Sequence, residues 1–250
     1  MDLSQTEKLR LIEFTKDHYV DFNDVRLLIA RDLENHILQQ MKEDETLSFE
    51  EALQNAFRKY GVVGFSDVSE NYMKKINTYF YKKVILKVVR NEVLKPRFWF
   101  LATACFLIIY SVIISLDFMP FVLAGGFIIL IILGLIFYFR KLHKEIKGLK
   151  KRDHYYYLDQ LLGSNSSILF SFSYMPLLLA PHISRLGETQ ELSMAILAFF
   201  TMLSFIAFYF IYFRLYKDRS KILNDYKENF LNKKLGLEFE VVENQIKNRL

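Results

Sequence analysis

The sequence predicts an all-α protein: a cytoplasmic N-terminal helical domain followed by a four-helix transmembrane bundle. Two observations carry this. The 250 residues are 52% apolar and 16% aromatic, yet 24% are charged, and the charge is segregated. Phe98 to Phe139 holds one charge, Asp117, whereas residues 1–71 hold fifteen acids and eight bases. The second observation is a set of helix start and stop signals in those first 71 residues. This segregation argues against a purely soluble enzyme and against a disordered chain. A single cysteine, Cys105, excludes an intramolecular disulfide framework.

The N-terminal domain, residues 1–71, reads as a compact helical unit. Ser4 and Glu7 form a capping box before Leu9, Leu11, Ile12 and Phe14. Asp21 or Asn23 is expected to cap the next helix. There Val25, Leu28, Ile29, Leu33, Ile37 and Met41 recur at helical spacing and leave Arg31, Glu34 and Lys42 outside. Ser48 and Glu51 form a second capping box ahead of Ala52, Leu53, Ala56 and Phe57, and Gly61 stands where a left-handed C-terminal cap is wanted. A fourth helix is expected to begin near Ser66 and to run through Tyr72, Met73, Ile76, Phe80 and Val84 toward the bilayer.

The run Asp32-Leu33-Glu34-Asn35-His36-Ile37, followed by Ser48-Phe49-Glu50-Glu51-Ala52, Ala56 and Tyr60-Gly61, resembles the permease-prefix or HAAS-type helical domain of bacterial membrane proteins. The match covers about Asp21 to Val63, and where that family often has a glycine before the capping serine this chain has Thr46 and Leu47. The resemblance implies a cytoplasmic module ahead of a membrane part, an exporter permease in some members and a small bundle in others, in a signalling or regulatory context. It implies no catalytic residue.

Residues 72–97 form a basic juxtamembrane helix, with eight Lys/Arg against Glu92. Such a helix is attracted to anionic lipid, so Lys74, Lys75, Lys82, Lys83, Lys87 and Arg90 are the candidate lipid-binding residues. The acidic domain beside them would repel nucleic acid. Pro96 is placed in the first turn of the first span.

Within 98–213, four uncharged runs approach the roughly 20 residues needed to cross a bilayer: about 98–116, 119–139, 164–184 and 192–213. The third is the weakest, diluted by Ser164 to Ser167 and interrupted by Pro176 and Pro181. Residues 140–159 carry seven bases and three acids, and residues 214–250 nine and six. The opposite connections offer only Asp117, and Arg185 with Glu188 and Glu191. Basic residues resist translocation, so both termini are expected in the cytoplasm, in the bacterial cytoplasmic (inner) membrane. No cleavable signal is expected, because the first ninety residues lack an apolar run. The 214–250 tail is cytoplasmic, and its last segment, Leu235 to Leu250, fits strand or helix equally. Phe137 to Leu142 resembles Ile211 to Tyr216, as a duplicated hairpin or two ordinary cytoplasmic exits would.

Candidate chemistry is sparse. Asp32 and His36, one helical turn apart, could form an ion pair or half a metal site, but no second pair completes a ligand set. His18, with Asp17 and Asp21, is weaker still. There is no phosphate loop, nucleophile elbow or zinc helix. The expectation is no enzyme, no cofactor and no metal. The function expected is a regulatory or sensory membrane protein that binds a protein partner through Leu33, His36, Ile37, Ala52, Ala56 and Phe57. The alternative is a small transporter or permease-like subunit, using Pro176 and Pro181 to open the third span. A homo-oligomer is compatible with either.

Overall fold

The structure, a computed structural model, describes residues 2–115, 155–163, 190–210 and 217–235, with 214, 215 and scattered positions within 126–149. The fold is all-helical, with no strand among the described residues. The expected spans at 119–139 and 164–184, Pro120, Pro176, Pro181, and the segment after Leu235 fall largely or wholly outside them.

The chain divides into two compact units. The first combines Met1–Tyr81 with Ile146–Gln160 and Lys221–Leu250, and is therefore larger than the 1–71 domain read from sequence. Its helices are α1 (Gln5–Asp17), α2 (Asn23–Glu43), α3 (Phe49–Arg58) and α4 (Ser66–Tyr79). Both capping boxes form. Ser4 and Ser48 hydroxyls accept from the Glu7 and Glu51 amides at 3.3 and 3.4 Å, and each glutamate reaches back to the serine amide. Gly61 has φ +69°, which allows the chain to turn after α3.

Two expectations for α2 are corrected. Its N-cap residue is Phe22, with no side-chain cap; Asn23 and Asp24 both lie inside the first turn. Arg26 instead secures the preceding loop by donating to the Val20 and Asp21 carbonyls. Glu34 is buried rather than outside, because α1 packs on that face and brings Lys8 Nζ within 3.4 Å, while Arg31 pairs with the same carboxylate. Pairing offsets the desolvation that would otherwise forbid these buried charges. α1, α3 and α4 surround α2, whose Val25, Ile29, Leu33 and Ile37 are fully buried against Leu11, Ala52, Leu53 and Ala56.

The helix begun by α4 passes through a π-helical turn, Phe80–Ile85, into α5 (Leu86–Val93). The basic segment 72–97 is thus the continuation of the Ser66 helix, and it stops at Leu94 and Lys95. In the second unit, α6 (Pro96–Ser115) packs on α7 (Gln190–Tyr209). Pro96 occupies the first helical position, as expected. Ile109, Met194, Leu197 and Ala198 form the seam, flanked by Phe106, Met202 and Phe205. Thr201 and Ser204 are buried there, each hydroxyl donating to the carbonyl four residues earlier, at 2.8 and 3.1 Å. Small residues and self-satisfied hydroxyls let two apolar helices approach closely.

Among the described residues, no single helix is long and apolar enough to cross a membrane. Ser66–Val93 with Pro96–Val112 meets that requirement as a bent pair. Beyond α7, α8 (Arg219–Tyr226), a second π-helical turn (Lys227–Asn232) and α9 (Lys233–Leu235) complete the described chain.

Candidate functional site

The first unit is held together at Asp24. This side chain is completely buried. Its carboxylate accepts the Val25 amide at 3.0 Å, the Tyr157 amide at 2.8 Å, the Leu158 amide at 3.5 Å and the Tyr226 hydroxyl at 3.0 Å. The helical residues 157–163 follow Tyr156, whose side chain cannot cap a helix; Asp24 supplies the cap from elsewhere in the chain. Asp159 completes the arrangement, accepting the Tyr156 amide at 3.3 Å. The same segment is fixed by the Asn23 amide on the Tyr155 carbonyl at 2.9 Å, by Asn77 on the Tyr157 hydroxyl at 3.2 Å, and by Phe22 against the Tyr155 and Tyr157 rings. Burial pushes the Asp24 carboxyl up to about 6 despite these donors, which act to lower it. Burial and the neighbouring Asp24 charge push the Tyr226 phenol well up, so it serves as a donor.

Around Tyr226 an aromatic group forms with Tyr79 and Phe230, at centroid distances of 5.0 to 5.7 Å. Lys227 lies 4.7 Å from the Tyr156 ring, and Lys234 lies 5.0 Å from Phe230. None of these long-range partners was visible in the sequence. The one available signal was the recurrence of tyrosine at 155–157 and 226 in segments otherwise read as charged connections.

The expected partner surface divides. Leu33, Ile37, Ala52 and Ala56 have no exposed surface: they are the filled seam between α2 and α3, not an open groove. His36 is half-buried, with a buried Nδ1 that makes no hydrogen bond. Asp32, read as its neighbour, instead accepts the Tyr72 hydroxyl. Phe57 borders a cavity of about 620 Å³, also lined by His18, Phe65, Val62 and Val63. Phe14, His18, Phe57 and Phe65 form a ring cluster, with His18 4.1 Å from Phe14 and 4.4 Å from Phe57. The His18 Nδ1 lies 2.8 Å from the Phe14 carbonyl. Val62 and Tyr19 at the mouth are fully exposed, and Tyr19 sits at φ +63°. Asp21 and Glu70 give the mouth acidic character.

All six expected lipid-binding residues are exposed. Lys74 pairs with Glu70 at 2.7 Å, and Lys75 lies over the Tyr72 ring at 4.9 Å, so these two are partly engaged within the first unit.

In the second unit, the buried Glu92 pairs with both Lys95 and Arg214. Burial alone would raise its carboxyl, but those two cations outweigh burial and hold it below the usual range. Arg214 also approaches Asp218 at 3.7 Å, and Arg219 pairs with Glu145 at 3.0 Å. In the sequence Arg214 was legible only as a positive charge ending a span. Among the described residues, no group of three or more His, Cys, Asp or Glu comes together to hold a metal ion.

Comparison with family models, curated proteins and solved structures finds no match for this chain. The likeness of residues 21–63 to the permease-prefix domain therefore rests on the residue pattern alone.

Proposed function

We propose that this is a non-catalytic regulatory or sensory protein of the bacterial cytoplasmic membrane, with four spans, both termini in the cytoplasm, and a cytoplasmic helical unit that binds a protein partner. One observation carries the reading. The three charged segments that the basic-residue rule assigns to the cytoplasm (1–97, 140–159 and 214–250) supply all of the first unit but Gln160, although they are separated by the uncharged runs. Those runs fall in the second unit. A chain crossing a membrane an even number of times between such segments would return them to one side, where they could fold together.

The partner-binding part of the reading is supported by the exposed apolar mouth at Val62 and Tyr19, because isolated apolar residues are ordinary but an aromatic-floored cavity beside them is not. Reporter fusions after Asn71 and Leu250 are expected to report cytoplasm, and labelling at Gly187 to come from outside. A C-terminus outside the cell would overturn the four-span arrangement. Partner capture by the full chain is expected to be lost with Val62→Asp and retained with Ser4→Ala; an unchanged partner set with Val62→Asp would refute the binding role.

A further inference from the structure

We propose that the cleft between the start of α6 and the end of α7 holds an acyl chain of an anionic phospholipid, with the headgroup at Arg97. The inference rests on the membrane reading above, and it concerns a place distinct from the basic helix face. Phe98, Leu101 and Ala102 of α6 and Phe205, Ile206 and Tyr209 of α7 wall a cleft of about 200 Å³, with Cys105 at its inner end. At about 30 Å³ per water-sized group, that is room for some six or seven methylenes.

Two features select the occupant. The walls offer almost nothing for water to bond to, and an apolar gap left empty forfeits its dispersion contacts. The charged end is net positive: Arg97 is exposed and lines the mouth beside Glu92, and Glu92 is already neutralised by Lys95 and Arg214, with Asp218 answering Arg214. An apolar slot closed by unanswered positive charge matches an acyl chain carrying a phosphate diester. A guanidinium contributes hydrogen bonds to phosphate oxygens that a neutral headgroup's balanced charge rewards less.

The chain's single tryptophan, exposed and next in sequence to Phe98 of the cleft wall, senses lipid near the site. Trp99 follows Phe98, whose ring is 5.6 Å away, and its indole N–H is fixed on the Val93 carbonyl at 2.8 Å. The full-length protein is reconstituted in phosphatidylcholine vesicles with rising fractions of phosphatidylglycerol or phosphatidylcholine, each brominated in the acyl chain, and Trp99 quenching is followed. Brominated phosphatidylglycerol is expected to reach half-quenching at about fivefold lower mole fraction, the equivalent of one basic contact. Arg97→Gln should remove most of that preference. Ala102→Phe, which keeps every charge and fills the slot, should remove it too; Cys105→Phe serves where Ala102→Phe does not insert. Equal quenching by the two lipids, or a preference that survives the filled slot, overturns the proposal while leaving the membrane reading intact. No quenching by either lipid overturns both.

Discussion

At the scale of single residues, Asp24 decides most. An isolated buried carboxylate is costly, and its environment answers with three amides and one phenol. The balance still favours the proton, since burial holds the carboxyl at about 6 against a reference of 3.8. The native state then binds the proton more tightly than the unfolded chain, so this contribution to stability is present below pH 4 and is lost as pH rises through 6. Its size is about 3 kcal/mol for a shift of that order. Asp24→Asn is therefore expected to flatten the fall in thermal stability of the full chain between pH 4 and 7; an identical pH slope in variant and wild type would show that the group titrates normally. The capping residues are more ordinary. Ser48→Ala should cost about 1 kcal/mol, and Gly61→Ala about 1 kcal/mol because a side chain must then sit at φ +69°. Thermal melts of the full chain measure both. These caps were legible in the sequence because a capping box is a local pattern spanning four residues. Asp24 was not, because its donors lie 133 and 202 positions away.

At the scale of elements, the helix beginning at Ser66 shows what periodicity conveys and what it hides. Tyr72, Ile76, Phe80 and Val84 are all buried, at a strict spacing of four. A helix of 3.6 residues per turn drifts about 40° at each such step, so the stripe would rotate away from its packing face within a few turns. The π-helical turn at Phe80–Ile85, with its wider winding, corrects that drift. Sequence reading identified the stripe as one helix from Ser66 through Val84, and only the domain boundary was drawn at residue 72, where the charge changes sign; the π-helical turn carries no such signature in the sequence. The exposed cations along this helix are not equivalent. Lys74 is held by Glu70 and Lys75 lies over Tyr72, whereas Lys82 and Lys83 follow within the π turn. If the helix lies along anionic lipid, Lys82→Gln with Lys83→Gln should weaken the contact more than Lys74→Gln with Lys75→Gln, by about 1 kcal/mol per residue. Amide exchange over residues 74–90, in full-length protein embedded with and without anionic lipid, measures this. Protection should fall with added salt. Protection indifferent to headgroup and salt would leave these lysines as a topology signal only.

At the scale of the whole molecule, the first unit is a composite, and composition alone could not reveal it. The charge pattern separated polar from apolar segments correctly enough to define all-α architecture, and it located α6 and α7 within a few residues. It could not say that residues 155–160 and 221–235 fold with the N-terminal helices, since side chains such as Tyr157 and Tyr226 look like ordinary interfacial tyrosines until their partners are known. The composite has a mechanical consequence. Tyr226 is fully buried, donates to Asp24, and stacks on Phe230 beside Tyr79. Tyr226→Phe removes the hydroxyl alone, and a bond to a charged acceptor is worth about 1.5–3 kcal/mol. Tyr226→Ala also opens a cavity, at about 3–5 kcal/mol by analogy with other large aromatic truncations. Both substitutions lie in the tail, yet the loss should be felt in the first turns of α2 and in residues 155–163, because one carboxylate serves all three. Amide exchange at Val25 to Leu28 and at Tyr157 to Leu161 is therefore expected to accelerate together, modestly in Tyr226→Phe and strongly in Tyr226→Ala, while α6 keeps its protection. A tail that merely lay against the surface would give faster exchange within residues 219–235 and leave α2 unchanged. Because that coupling joins segments on either side of the apolar runs, a signal that loosens the tail would reach the N-terminal helices without passing through the intervening sequence.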